Sequence, residues 1–252
     1  MKDMYENFAY DYDEFGDIAN YLGSEKSFFK QLFTEHNVNT VLDCACGTGQ
    51  HLYMLSGMGM KVSGSDFSAS MLEVANENLK RCKRKIPLRQ CDFRFLEKEF
   101  SEKFDAIVCL TTALPHLHTD EDLLTALVSM RERLSENGLL VLTQGTTHYT
   151  LKLPPIEVVV NRKDFSRVYV KEHDKYFQTI RILDLYHSEE RREENQYDIV
   201  YRILLDNDYR RLLKKAGFDN IKIYGDYDRN AYTHSSKRLI VVAQKIGNLK
   251  RC

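Results

Sequence analysis

The stretch Thr40-Val-Leu-Asp-Cys-Ala-Cys-Gly-Thr-Gly-Gln50 determines the fold that we predict for this 252-residue chain. Val41 to Ala45 form a β-prone run, the turn Gly47-Thr48-Gly49 follows, and a helical pattern begins at Gln50. A strand, a glycine turn and a helix N-terminus form a cradle for a nucleotide-type cofactor, because the backbone can approach the ligand and free N–H groups face it. Leu52 replaces the third glycine of the dinucleotide fingerprint, so a dinucleotide-dependent oxidoreductase is the least favoured reading.

Asp43 lies inside the predicted strand, ahead of the glycine turn. A phosphate group would gain nothing from a carboxylate at this place, whereas a cationic ligand group would be stabilised by one. Asp43 therefore favours a cofactor that carries an ammonium and a sulfonium over one that carries a pyrophosphate. The alternative to a cofactor site is a purely structural role, in which the glycine turn only packs a helix against a sheet.

The amino-acid composition excludes several classes of protein to which this chain could otherwise belong. The 36 basic and 37 acidic residues nearly cancel and are interspersed, so a chain-wide electrostatic surface for nucleic acid is missing. No apolar run approaches the ~18 residues of a membrane span, and the N-terminus lacks the apolar core of a secretory signal. The six cysteines show no zinc-type spacing. Four of them fall in or beside predicted buried strands and are interpreted as reduced core thiols, namely Cys44, Cys46, Cys91 and Cys109. We expect a cytoplasmic protein with no metal, no nucleic-acid partner and no membrane anchor.

The basic run Lys80-Arg81-Cys82-Lys83-Arg84-Lys85 closes a helix predicted from Ser70 to Lys85. Cations at a helix C-terminus complement the helix dipole, so we interpret the run as a solvated helix end. A nucleic-acid patch is the alternative, but the run lacks interleaved aromatic residues.

Strands and helices alternate through the first part of the chain, which predicts a parallel, doubly wound α/β sheet. The predicted strands are Val41–Ala45, Lys61–Asp66, Leu88–Phe93, Phe104–Leu110 and Gly138–Gln144. From residue 146 several strands follow one another without long helices, which predicts an antiparallel insertion over the carboxyl edge of the sheet. The main pattern then returns with a helix at Asp208–Ala216 and strands at Asn220–Tyr224 and Lys237–Gln244.

Several motifs occur in the order typical of one enzyme family. Val41-Leu-Asp-x-x-Cys-Gly-Thr-Gly49 resembles motif I of class I S-adenosylmethionine (SAM) dependent methyltransferases, and Asp66-x-Ser-x-x-Met-Leu72 is similar to their second motif. Phe104–Leu110, His116-Leu117 and Gly225-Asp-Tyr227 moderately resemble the glycine and sarcosine N-methyltransferases. The resemblance spans nearly the whole chain. It implies a Rossmann-like, mostly parallel seven-stranded sheet with the antiparallel insertion before the last helix.

We therefore expect one domain over residues 1–252. Its predicted parts are a helical cap at residues 1–37, a core at 38–145 and 206–252, and a substrate-side insertion at 146–205.

The prediction of the cofactor site rests partly on the chemistry of the residues and partly on the family resemblance. Asp66 follows the glycine turn by about twenty residues, where a Rossmann-like fold places the acid that binds a ribose diol. The resemblance implies that Met71 lies beside the adenine, that Asp92 accepts from its amino group, and that N-terminal tyrosines cover SAM. The alternatives are helix core for Met71, a turn cap for Asp92 and plain packing for the tyrosines. The predicted cofactor-binding set is Tyr12, Tyr21, Asp43, Ala45, Gly47, Thr48, Gly49, Asp66, Phe67, Met71, Asp92, Phe93 and Leu110.

The acceptor site is predicted from the loop after the fourth strand and from two later residues. His116 is the one candidate catalytic residue, with a role in the cavity wall as its alternative, since a neutral amine needs no dedicated base. Arg202 resembles an arginine that holds the substrate carboxylate in glycine N-methyltransferases, and the alternative is an outward-facing arginine on a strand. The predicted substrate-binding set is Thr111, His116, Arg202 and Tyr227.

The expected reaction is methyl transfer from SAM to a small-molecule amine such as glycine or sarcosine, with S-adenosyl-L-homocysteine as product. Two alternatives stay open. One is N- or O-methylation of another small metabolite, and the other is a catalytically silent SAM-binding regulator.

Overall fold

The computed structural model describes residues 5–15 and 23–246. Tyr21, one of the residues predicted to cover the cofactor, lies outside these ranges. The described residues form these α-helices: α1 Ala9–Tyr12, α2 Gly23–Glu35, α3 Gln50–Gly57, α4 Ala69–Arg81, α5 Asp120–Arg133 and α6 Asp206–Lys215. They form these strands: β1 Thr40–Asp43, β2 Lys61–Asp66, β3 Leu88–Gln90, β4 Phe104–Cys109, β5 Leu134–Gln144, β6 Ile156–Asn161, β7 Phe165–His173, β8 Phe177–His187, β9 Arg192–Arg202, β10 Asp219–Tyr224 and β11 Leu239–Gln244.

The main sheet has seven strands in the order β10-β11-β5-β4-β1-β2-β3. Strands β5, β4, β1, β2 and β3 are parallel, and β11 runs antiparallel to both of its neighbours. The central strands β1 and β4 are mostly apolar, and the sheet has one buried hydrophobic cluster on each face. The predicted Rossmann-like α/β fold with a mostly parallel seven-stranded sheet is confirmed.

Several predicted boundaries differ from the structure; for example, β5 begins at Leu134 rather than Gly138 and β11 at Leu239 rather than Lys237. Two further differences have local reasons. Helix α4 ends at Arg81 rather than Lys85, because Lys83 has a positive φ of 53° and the Arg84 N–H bonds back to the Leu79 carbonyl. This geometry closes the helix and leaves the basic run beyond it. Strand β3 ends at Gln90 rather than Phe93, because the Asp92 side chain caps a 3-10 turn that begins at Phe93.

Strands β6 to β9 form a separate four-stranded antiparallel sheet in sequence order. The N-terminal segment that carries α1 packs against this sheet, and the Phe8 side chain contacts Ile182 and Ile199 in a small buried cluster. The buried guanidinium of Arg167 in β7 donates to the Asp11 carbonyl at 2.6 Å and to the Tyr12 carbonyl at 3.3 Å. The insertion sheet therefore fixes the position of the N-terminal segment.

Across residues 5–15 and 23–246, the helices lack the combination of length and apolar character that a bilayer crossing would require.

Candidate active site

A cavity of about 440 Å³ opens at the carboxyl ends of β1, β2 and β4, where open α/β sheets bind ligands. The sequence predicted ten of the residues in its wall, namely Tyr12, Ala45, Gly47, Thr48, Asp66, Phe67, Met71, Phe93, Thr111 and His116. Six other predicted residues do not line it, namely Asp43, Gly49, Asp92, Leu110, Arg202 and Tyr227. The volume suits a ligand of nucleoside size. We call this space the cofactor cavity.

The glycine turn and the end of β2 are joined by the carboxylate of Asp66. Its Oδ2 accepts from the Gly47 N–H at 2.8 Å, and its Oδ1 accepts from the Ser68 N–H at 3.0 Å. Gly47 has a φ of +50°, and an added Cβ there would meet no atom within 4 Å, so this backbone borders open space. Gly49 differs, because its added Cβ would lie 3.4 Å from the Ala75 Cβ. Gly49 therefore serves the packing of α3 against α4.

Asp43 is buried behind the wall of the cofactor cavity. Its Oδ1 accepts from the Ala45 N–H at 3.3 Å, and its Oδ2 has no hydrogen-bond partner among the described residues. Burial raises the pKa of this carboxyl to about 6. An unpaired buried carboxylate fits a cofactor that brings a cationic group, because a nearby positive charge stabilises the ionised form. The donor set therefore fits SAM.

The structure shows Asp92 in the capping role that was the alternative to contact with adenine. Its two carboxyl oxygens accept from the Arg94 side chain, and Oδ1 also accepts from the Arg94 N–H. Burial raises the pKa of Asp92, but the bonds from Arg94 outweigh it and hold the pKa below the usual range. Phe93 and Arg94 line the cavity in its place.

A second cavity of about 570 Å³ lies between the core and the insertion sheet, and we call it the acceptor cavity. Its wall includes residues of the N-terminal segment, the loop after β4, the loop after β5 and strands β6 to β9. Five residues line both cavities, namely Tyr5, Tyr12, Gln50, His51 and Thr111. The two cavities therefore meet at these five side chains.

Backbone strain marks the loop between the two cavities. Thr111 and Thr112 have φ values of 52° and 70°, which β-branched residues rarely adopt. The end of β5 holds this loop, because the Thr111 N–H donates to Thr143 Oγ1 at 2.9 Å and the Thr112 N–H donates to the Thr143 carbonyl at 2.8 Å. Strained backbone that its surroundings hold in place is typical of functional sites.

His116 lies in the wall of the cofactor cavity as a half-buried, neutral ring. Its Nε2 is 2.8 Å from the Tyr5 hydroxyl, and its Nδ1 is buried without a partner among the described residues. Burial lowers the pKa of His116 to about 4, so the ring is a weak proton acceptor near neutral pH. The Tyr5 contact and the unpaired Nδ1 suit orientation of a substrate rather than proton transfer.

Two of the residues predicted to bind substrate lie elsewhere. The Arg202 guanidinium donates to the Asp120 carboxylate at 2.5 Å and to the His118 carbonyl at 3.3 Å, outside the wall of either cavity. The alternative of an outward-facing strand arginine does not describe this geometry either, because the Arg202 side chain is only 22% exposed and joins β9 to the start of α5. Tyr227 is buried beneath α2, where its ring centroid is 5.6 Å from that of Phe28.

Sequence reasoning missed a buried pair at the junction of the cavities. His51 is the second residue of α3, and its Nε2 is 2.9 Å from Glu25 Oε2 in α2. Its place two residues after the glycine turn was the available signal, but nothing in the sequence shows that Glu25 reaches it. The cations in the wall of the acceptor cavity, Lys171, Lys237 and Arg238, were missed as well.

Within the described residues, no group of three or more His, Cys, Asp or Glu side chains is arranged to hold a metal ion.

Comparisons with known proteins agree with this geometry. The family described as a methyltransferase domain matches residues 41–138. A glycine/sarcosine N-methyltransferase of Aphanothece halophytica is 30% identical over 240 residues, which cover 95% of this chain and 89% of the relative. A glycine/sarcosine N-methyltransferase of Parasynechococcus marenigrum (strain WH8102) is 29% identical over 242 residues, which cover 91% of this chain and 80% of the relative. The crystal structure of a SAM-dependent methyltransferase from Clostridium acetobutylicum ATCC 824 matches with a TM-score of 0.82 and 19% identity, over 96% of this chain and 99% of that one.

Proposed function

Because this chain belongs to the class I SAM-dependent methyltransferases, we propose that it methylates the amino group of a small amino acid such as glycine or sarcosine. The product formed from the cofactor would be S-adenosyl-L-homocysteine. The observation that carries the proposal is the junction of two cavities, one suited to SAM and one suited to an acceptor. The two relatives named as glycine/sarcosine N-methyltransferases support the choice of acceptor.

The residues of the cofactor cavity have separate proposed tasks. Asp66 would accept from the ribose hydroxyls, Asp43 would stabilise the cationic amino-acid end, and Met71 and Phe93 would contact the adenine. When bound, SAM supplies an electrophilic methyl group on a sulfonium centre. The chain's contribution is to place the acceptor nitrogen in line with that methyl and to exclude water. Tyr12, which lines both cavities, suits the positioning task.

An amino-acid acceptor needs a cation for its carboxylate, and we propose Arg238 in place of Arg202. The Arg238 side chain lies at the rim of the acceptor cavity, with its guanidinium carbon 5.3 Å from the Tyr227 ring centroid. Lys171, in contrast, is already paired with the Glu157 carboxylate. A guanidinium meets a carboxylate in two parallel hydrogen bonds.

The size of the acceptor cavity favours a second candidate, a larger amine with an apolar body. A volume of about 570 Å³ exceeds what glycine fills, and Ile180, Ile182 and Ile199 give the wall an apolar side. This candidate belongs to the same reaction class and differs only in the acceptor.

Steady-state turnover with an acceptor panel tests the proposal. Glycine and sarcosine represent carboxylate-bearing acceptors, and phenethylamine represents an apolar amine without a carboxylate. We expect Arg238→Gln to raise the KM for glycine or sarcosine about tenfold at unchanged SAM affinity, while Arg202→Gln leaves it unaltered. Turnover of phenethylamine alone would favour the larger amine. An effect of Arg202→Gln without one of Arg238→Gln would contradict the assignment of Arg238.

A further inference from the structure

Glu25 and His51 form a buried pair where the two cavities meet. Glu25 is 6% exposed and His51 is 8% exposed, and the two side chains approach to 2.9 Å. Both line the acceptor cavity, and His51 also lines the cofactor cavity. A carboxylate and an imidazole in contact, buried beside the reacting groups, form the arrangement of an oriented base.

The contact with Glu25 determines which ring nitrogen of His51 is available. Nε2 donates its hydrogen to the carboxylate, since an ionised carboxylate only accepts. In the neutral ring Nδ1 then carries the lone pair, since the hydrogen is on the Nε2 atom that contacts Glu25. A carboxylate that fixes the tautomer and stabilises the protonated ring increases the capacity of imidazole to take a proton.

Two carboxyls lie near His51. Glu25 faces it from α2, and Asp43 interacts with it electrostatically from β1. Burial raises the pKa of Glu25, but the contacts with His51, Tyr227 and Arg238 outweigh it and keep the pKa below the usual value. Glu25 is therefore ionised near neutral pH.

An amine acceptor must lose a proton before it can react, because most of it is an ammonium ion near neutral pH and an ammonium nitrogen has no lone pair. His116 is a weak acceptor for that proton, since burial lowers its pKa to about 4. Tyr5 and Tyr12 also lie at the junction, but burial raises the pKa of both hydroxyls and so disfavours their ionised, basic forms. His51 is the histidine of the junction that has a carboxylate partner.

We propose that His51, oriented by Glu25, accepts the proton that the acceptor ammonium loses before methyl transfer. In this step an N–H bond of the ammonium breaks, an N–H bond forms at Nδ1 of His51, and the nitrogen of the acceptor keeps the electron pair with which it attacks. The imidazolium later releases its proton to solvent. This inference rests on the proposed amine methylation.

The discriminating variant is His51→Gln, because the glutamine amide can still donate to Glu25 but cannot take up a proton. We expect kcat/KM for glycine or sarcosine at saturating SAM to fall about 100-fold at pH 7. The defect should shrink towards pH 10, where the free amine is already abundant in solution. Glu25→Gln should give a smaller defect with the same pH dependence. His36→Gln, at an exposed histidine outside both cavities, is the matched control.

A second measurement needs neither SAM nor an acceptor. Ring ¹⁵N NMR of the whole chain, with the His51 signals assigned by their loss in His51→Gln, reports which ring nitrogen carries the hydrogen. We expect hydrogen on Nε2 in the neutral ring of the wild type, and loss of that preference in Glu25→Gln.

The outcomes separate this inference from the proposed function. If the wild-type enzyme methylates an amine and His51→Gln matches His36→Gln, or loses the same factor at every pH, the proton-transfer role is wrong and amine methylation stands. Hydrogen on Nδ1 in the neutral ring would overturn it as well. If the wild-type enzyme turns over no amine, amine methylation fails and the role of His51 fails with it.

Discussion

Substitution of Arg167 by methionine tests how the insertion sheet supports the active site. Arg167 in β7 is fully buried, and its Nε and Nη2 atoms each donate to a carboxyl oxygen of Asp184 at 2.6 Å. The same guanidinium donates to the carbonyls of Asp11 and Tyr12. One side chain therefore joins the insertion sheet to the segment that brings Tyr5 to both cavities.

The expected cost follows from what Arg167→Met leaves behind. Asp184, which is 0% exposed, would lose its countercharge, and two backbone carbonyls would lose a donor. Removal of one member of a buried ion pair costs about 3–5 kcal/mol. The double variant Arg167→Met/Asp184→Leu should recover most of that free energy, because it leaves no buried charge. The lost carbonyl bonds should still cost about 1 kcal/mol each.

Urea unfolding followed by circular dichroism measures these free energies, and steady-state kinetics on the double variant measures the consequence for the site. We expect the unfolding midpoint of the double variant to lie between those of the wild type and Arg167→Met. We also expect a raised acceptor KM, because the N-terminal segment has lost its anchor. Arg181→Met is the matched control, since Arg181 forms an exposed pair with Asp198 in the same sheet. It should change stability little.

Equal stability losses for Arg167→Met and Arg181→Met would refute this reasoning. A double variant with a wild-type acceptor KM would show that the anchor is irrelevant to the active site.

Three further substitutions test the cofactor cavity and its loop. The pKa of Asp43, about 6, lies above its ordinary value of 3.8. Between these two pH values the folded protein holds a proton that the unfolded chain releases. The free energy of unfolding therefore falls as the pH rises through this range. Asp43→Asn should therefore stabilise the ligand-free protein above pH 6 by up to about 3 kcal/mol, and not at pH 4. Asp66→Asn should weaken SAM binding about tenfold in calorimetry, through loss of the anionic acceptor. Thr112→Gly should relieve its positive φ and raise the unfolding free energy by about 1 kcal/mol.

A specific result would contradict each of these three predictions. A pH-independent gain for Asp43→Asn would show that the carboxyl is not destabilised by burial. Unchanged SAM affinity in Asp66→Asn would remove the ribose role. A less stable Thr112→Gly would mean that the hydrogen bond between Thr112 Oγ1 and the Gly145 N–H outweighs the strain.

The sequence could predict the fold because short-range signals determine most of it. A central strand such as β4 is recognisable in the sequence as a mostly apolar run. The glycine turn marks the start of α3, and Ser68 caps α4 by accepting from the Met71 N–H. The errors lie at element ends. The positive φ of Lys83 that closes α4 has no signature in a run of basic residues.

The cofactor cavity was predicted better than the acceptor cavity for a physical reason. The residues predicted around the cofactor sit at fixed offsets from strands whose order the fold imposes, as with Gly47 and Asp66. The acceptor cavity instead depends on contacts between distant segments, such as Glu25 with His51. Spacing along the chain could not show that Arg202, at the end of β9, would meet Asp120.

Transfer of a labelled methyl group tests the central claim most directly. The enzyme is incubated with [methyl-¹³C]SAM and glycine or sarcosine, and the product is observed by carbon NMR. The account predicts a labelled methyl carbon bonded to the amino nitrogen. It also predicts loss of that signal in His51→Gln at pH 7 but not in His36→Gln. Label on a carboxylate or hydroxyl oxygen, or no transfer to any amine while SAM binds, would contradict it.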